Sequence, residues 1–202
     1  MSNKGQFLDF SVSSVWNDIR SHGNLVPWSR LVWFSQCIPR HSFVLWLAIL
    51  GRLKTHDSML RWNKSGVPDS HDHLFFECDF PKSIWCTLKN MVRLDFAPNR
   101  WHDLLQFLMA RPINKSIWSI LQRLVLGASV YLIWQERNLR IFQNRHRSKE
   151  ELCDLIKDVV RLRIMGLNLK SSRQVFDAAD IWNFHVDMVP GSNRAQFSSW
   201  RK

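Results

Sequence analysis

"SIWSILQRLVLGASVYLIWQERNLRIFQNR", residues 116–145, decides what kind of fold this chain can adopt. Turned at about 100° per residue, Ile117, Leu121, Leu124, Ala128, Tyr131, Leu139 and Phe142 share one narrow sector, with Gln135 its only polar interruption. The spacing predicts one helix from about Ser116 to Arg145. Between Leu124 and Trp134 apolar residues occur on every side, and that portion is expected to be buried. The apolar run itself, flanked by Arg123 and Gln135, is too short to span a bilayer, so no membrane partner is expected.

The rest of the chain reads as helices packed around this one. Its 202 residues, 46% hydrophobic, suffice for a real core. Eleven tryptophans stand beside one tyrosine, and glycine and proline number only 7 each, a composition that favours packed helices over turn-rich sheet. Downstream, "SKEE" at 148–151 is a capping box, Ser148 with Glu151, opening an amphipathic helix with Leu152, Leu155, Ile156, Val159 and Leu162. Upstream, Asp79 and Pro81 read as cap and early proline of a helix burying Ile84, Trp85, Leu88 and Val92, and Asn99 as the start of another, "RWHDLLQFLMA". "LVWFSQC" reads as extended, then passes Pro39 into a helix with Phe43, Trp46, Leu47 and Leu50 at helical spacing, stopped by Gly51. Ser11, Ser13 or Ser14 offers a cap for a short helix burying Val15, Trp16 and Ile19, and Thr55 for a helical turn reaching Trp62. Beyond Ser171 no long periodicity continues, and a poorly ordered tail is expected in which Trp182 docks back. The expected fold is therefore mainly α, with a short irregular or strand-like knuckle segment, one long central helix and a further amphipathic helix. The expected divisions are a flexible 1–10, a domain over 11–112, a long helical hairpin over 113–170 and a tail over 171–202.

The formal charge of +11 is uneven. Residues 1–63 carry seven Lys or Arg against three Asp, and residues 101–147 seven against two, whereas 64–100 balance at five each. Two basic blocks on a folded domain point to an anionic partner, RNA or single-stranded DNA, whose counterions are released on contact; they also serve solubility. Arg123, Arg137, Arg140, Arg145 and Arg147 project opposite the apolar sector of the long helix, near the negative end of its dipole. Such a face suits phosphate, and equally a solvated surface.

Catalytic constellations are missing. No Asp-Asp pair could hold two metals, Glu150 and Glu151 open a capped helix, and no Gly-rich phosphate loop, GxSxG or HExxH occurs. The chain is not expected to be an enzyme. Cys37, Cys78, Cys86 and Cys153 form no CxxC pair, which fits a reducing, intracellular setting, nuclear or cytoplasmic, rather than secretion; "MSNKGQFLDF" lacks a signal-peptide core. One fragment does suggest a metal. In "SHDHLFFEC", 70–78, His73 and Cys78 are spaced as two ligands of one structural zinc ion, with His71 and Cys86 as further candidates. The other reading makes His73 a cap and Cys78 a small apolar packing residue beside Phe75 and Phe76. Spacing alone does not choose between them.

Taken together, these motifs resemble a known family, the zinc-binding domain attached to reverse transcriptases of plant non-LTR (LINE-type) retrotransposons. The resemblance rests on Pro39, Arg40, Phe43, Trp46 and Leu47, on the Gly51-Arg52-Leu53-x-Thr55 turn, on His73-Leu-Phe-x-x-Cys78, and on Trp134-x-x-Arg137-Asn138, spanning about residues 10–165. In the family a C-x2-C pair follows the "RWN" helix; here no cysteine lies between Cys37 and Cys78, so half of the zinc site has no counterpart. The resemblance implies a non-catalytic domain, a free-standing fragment of a retrotransposon polyprotein. Its ancestral role would be to hold nucleic acid through Arg40, Arg52 and Lys54 at the knuckle and Arg137, Arg140, Arg145 and Arg147 on the long helix, with Trp62 as a stacking surface or as core. No cofactor is expected, although intact relatives carry zinc. The alternative is an inert or self-associating helical module that pairs copies along Ile117–Phe142.

Overall fold

The computed structural model describes residues 26–53 and 73–186. The expected helices around Val15 and Trp62, and the residues Lys54, Thr55, His71 and 187–202, lie outside the described residues. Seven α-helices and one π-helical turn are described, and there is no strand among them. In chain order they are α1 (Ser29–Val32), α2 (Pro39–Ile49), the π-turn (His73–Glu77), α3 (Asp79–Met91), α4 (Trp101–Ala110), α5 (Ile117–Gln143), α6 (Lys149–Met165) and α7 (Arg173–Trp182).

α5 is the axis. The Ser116 hydroxyl accepts from the Ser119 N–H at 3.3 Å and starts it; Asn144, left-handed at φ 49°, ends it, and the Arg145 N–H returns to the Leu139 carbonyl at 3.3 Å. By length and apolarity α5 would cross a membrane, more than its short apolar run suggested, yet 83% of its most apolar window is buried inside the protein. α2, α6, α7, α3, α1 and the π-turn all pack on it. That wrapping uses the surface expected to pair two copies: the large apolar residues of α5 that remain exposed are Ile141 and Phe142.

Local signals survive into the structure where they are strong. The capping box of α6 forms as read, Ser148 accepting from Glu151 N–H and Glu151 from Ser148 N–H at 2.7 Å. Ile84, Trp85, Leu88 and Val92 of α3 are all buried. Tertiary packing overrides the reading elsewhere. Leu31 and Val32 sit in the helical turn α1 rather than in an extended segment, because the Ser42 hydroxyl of α2 donates to the Val32 carbonyl at 2.8 Å and holds that turn. α2 does begin at Pro39 and stops at Gly51, whose φ of 65° suits glycine. However, it buries His41, Ser42, Val44, Leu45 and Ala48, leaving Phe43 and Leu50 exposed; small and flat side chains let it approach α5 near Gly127. The α4 cap is not Asn99, whose side chain instead accepts from Lys89 Nζ at 3.1 Å. Within the expected tail, Ser172 caps α7, which buries Val175, Ala178, Ala179 and Trp182; the Trp182 indole donates to the Met91 carbonyl at 3.1 Å, so that tryptophan docks as expected.

Of the polar side chains buried among the described residues, Arg123 and Glu136 of α5 and His41 of α2 are the ones that can carry charge. Arg123 is only 6% exposed. Its guanidinium donates to the carbonyls of Ser119, Asn114 and Arg30 at 2.9, 3.0 and 3.3 Å and lies 4.1 Å over the Phe34 ring. Burial lowers its pKa from 12.5 to about 10, so it stays protonated at neutral pH. His41 stacks on Tyr131 with ring centroids 4.6 Å apart, its Nδ1 buried without a partner. Glu136, 1% exposed, accepts from Arg140 Nε at 2.8 Å and from the Arg147 N–H at 2.9 Å, and lies 3.7 Å from Arg147 Nη1. Arg140 also donates to the Arg147 carbonyl at 3.1 Å and lies 4.0 Å over Phe80. This clamp closes the corner between α5 and α6.

Two consequences are measurable. Burial, followed by the nearby Arg40 charge, lowers the His41 pKa from 6.5 to about 4. Above pH 6.5 the folded and unfolded chains are both neutral there and pH has no effect through this group. Between 6.5 and 4 only the unfolded chain binds the proton, so stability falls, and below 4 the loss levels off. Denaturant titrations should lose on the order of 3 kcal/mol across that window through this residue, and His41→Phe should flatten the decline; identical pH profiles for the two proteins would refute the assignment. Glu136→Gln leaves two cations without their shared counter-charge. Because both arginines are about one-third exposed, the expected cost is about 2 kcal/mol, a Tm lower by roughly 4–8 °C. A variant that melts with the parent would show that the clamp carries no net stability.

Candidate metal half-site and basic surface

The segment His73–Glu77 folds as a single π-helical turn and delivers its apolar residues into the core. Leu74, Phe75 and Phe76 are buried, Phe76 edge-on to Trp85 at 5.7 Å and Phe75 against Trp101 at 5.4 Å. Cys78 comes next, at the N-cap of α3, with its thiol exposed. The reading of Cys78 as a packed apolar residue is therefore incorrect: the phenylalanines fill the core and the cysteine turns to solvent.

Cys78 stands without the ligands a zinc ion needs among the described residues. Cys86 lies eight residues further along α3, about 12 Å up the axis at 1.5 Å per residue, whereas two thiolates on one zinc sit roughly 4 Å apart. Cys37 precedes α2, and Cys153 is buried on α6, where burial raises its thiol pKa. No cluster of three or more His, Cys, Asp or Glu that could hold a metal occurs among the described residues. Among the described residues no tetrahedral donor set closes around Cys78.

The expected basic contacts separate into two places and two conditions. Arg40, second residue of α2, and Arg52, just past the left-handed Gly51, are exposed at the two ends of that helix. On the other side, Arg137 and Arg140 are half-buried on α5, and Arg145 and Arg147 lie in the connection to α6. They are not equivalent. Arg140 and Arg147 are held by Glu136, and Arg137 also has a partner. Arg145 is exposed with its side chain uncommitted, and so is His146, which the sequence reading passed over. Arg123, read as part of the same face, is inside the protein. Glu136 and Arg140 stand four residues apart, a spacing that signals an ion pair on a helix and could have revealed the clamp.

With this geometry in hand, comparison with known proteins places one part of the chain. No curated protein and no solved structure matches it. Residues 10–85 match the family described as zinc-binding in reverse transcriptase, a stretch that takes in α1, α2, the π-turn with Cys78 and the first half of α3.

Proposed function

We propose that this protein is a non-catalytic nucleic-acid-binding module derived from the zinc-binding region of a reverse transcriptase of the plant LINE type. The observation that carries the reading is a basic excess in two blocks, 1–63 and 101–147, the first of which lies largely within residues 10–85, the stretch that matches the family described as zinc-binding in reverse transcriptase. Lysines and arginines on a folded surface attract phosphate without reading bases, so binding would be sequence-tolerant and salt-sensitive. Arg40 and Arg52 supply one set of contacts and Arg145 another, with Lys54, Arg137, Arg140 and Arg147 contributing field around them. Catalysis is not part of the proposal: the sequence holds no Asp-Asp pair, no Gly-rich phosphate loop and no GxSxG or HExxH motif. The protein would act inside the cell, where RNA and its DNA copies are met as single strands.

Single-stranded RNA titrated with the full chain tests this. With about four phosphates neutralised, raising monovalent salt from about 50 to 200 mM should weaken binding on the order of 10–50-fold. Undetectable binding, or binding indifferent to salt, would defeat the proposal. Zinc provides a second check. Since the family's C-x2-C pair has no counterpart here, the purified protein should carry well under one zinc per chain by elemental analysis; a full equivalent that disappears in His73→Ala would overturn that expectation.

A further inference from the structure

The connection between α5 and α6 encloses a groove of about 440 Å³ lined by Leu139, Arg145, His146, Arg147, Glu151 and Leu155. Its backbone is fixed rather than loose. Asn144 turns left-handed, the Arg145 N–H binds the Leu139 carbonyl, and the Arg147 N–H is held by the buried Glu136. A rigid corner of this kind presents side chains at defined positions.

The charges around the groove leave a small positive excess, Arg140, Arg145 and Arg147 against Glu136 and Glu151. Glu136 is shared by Arg140 and Arg147, and Glu151 accepts from the Ser148 N–H at 2.7 Å while keeping its own negative charge. Arg145 and His146 remain exposed and uncommitted at the mouth. The walls below them are apolar, Leu139 from α5 and Leu155 from α6. One turn beyond Leu139, Phe142 is 65% exposed beside Ile141, on the part of α5 that has left the core. An exposed aromatic within a helical turn of a basic groove is the pairing that single strands use, phosphate to cation and base face to ring. The volume lies in the range of pockets that take small organic molecules, larger than a bare oxyanion requires.

We infer that this corner is a nucleotide-sized subsite for single-stranded nucleic acid, in which Arg145 and His146 hold one phosphodiester and Phe142 stacks on the adjoining base. The inference rests on the nucleic-acid reading above and assigns that binding to a place. A phenyl ring offers a base only its face and no hydrogen-bonding group, so stacking on Phe142 is indifferent to base identity.

Fluorescence anisotropy with a labelled oligouridine and the full chain tests it. Arg145→Gln/His146→Gln and Phe142→Ser should each weaken binding about five- to tenfold, the first also flattening the salt dependence by one to two phosphates. The three positions are exposed, so melts should match the parent. Independently of any variant, the His146 imidazole resonances of the unaltered chain should shift when the oligomer is added, and their constancy would overturn the assignment. Undiminished binding in both variants, with loss in Arg40→Gln/Arg52→Gln, removes this subsite while leaving nucleic-acid binding intact. No binding by the unaltered chain removes both. Displacement of the oligomer by inorganic phosphate beyond that by chloride at matched ionic strength would reassign the groove to free oxyanions and overturn the inference.

Discussion

A helix that is apolar on every side must be surrounded, and the middle of α5 imposes that requirement on everything else. From Ile117 to Ile133 nearly every side chain is buried, including Gly127 and Ala128, where neighbours come closest. One helix has too little perimeter to shield itself, so α2, α3, α6 and α7 are recruited from both ends of the sequence to one axis. The result is a single buried cluster from Leu31 to Phe184 rather than separate cores. At about 1.5–3 kcal/mol for each large apolar side chain removed from water, this burial is the main favourable term of the fold.

The same burial decides what the polar residues can do. A charge pulled into such a core must find partners, because unpaired it would cost several kcal/mol. Arg123 meets the demand by donating to the carbonyls of Ser119, Asn114 and Arg30, and Glu136 with two arginines. Surface electrostatics change accordingly. A formal count assigns five arginines to one basic face of the long helix and its connection; burial withdraws Arg123 and the clamp engages Arg140 and Arg147. The field that reaches solvent there is therefore narrower than the composition implies. It is concentrated where the chain leaves the core, at Arg145.

What could be read from the sequence follows from the range of each interaction. Caps act over three residues, so the Ser148–Glu151 box was legible to the residue, although the caps of α3 and α4 fall at Cys78 and Arg100 rather than at Asp79 and Asn99. The length of α5 and the buried face of α3 were legible because their periodicity runs for several turns. α2 was assigned as a helix, but the face it buries was not legible: Phe43 and Trp46 are the most apolar choices, whereas the close approach to α5 selects His41, Ser42 and Ala48. α7 has Val175, Ala178, Ala179 and Trp182 at helical spacing, yet ten residues hold too few repeats to stand out from a polar tail. At the candidate site, His73 and Cys78 were legible as a motif. The groove was not, since it arises where Leu139 and Leu155, sixteen residues apart, are brought together by the clamp.

The half-site and the core bear on each other. In small metal knuckles the ion supplies about 10–16 kcal/mol of apparent folding free energy, and the chain is unfolded without it. A stretch that resembles such a knuckle but lacks the C-x2-C pair needs another source of comparable size. The "HLFF" turn provides a mechanism: Leu74, Phe75 and Phe76 enter the core, where Trp85 and Trp101 receive their rings and Ile84 and Leu88 complete the packing. Five or six such residues at about 2–3 kcal/mol each reach the same magnitude as the ion. The motif is thus held in place by its apolar middle rather than by its terminal ligands. In a fold built this way the exposed Cys78 thiol should be structurally cheap to remove, while Phe75 and Phe76 are not.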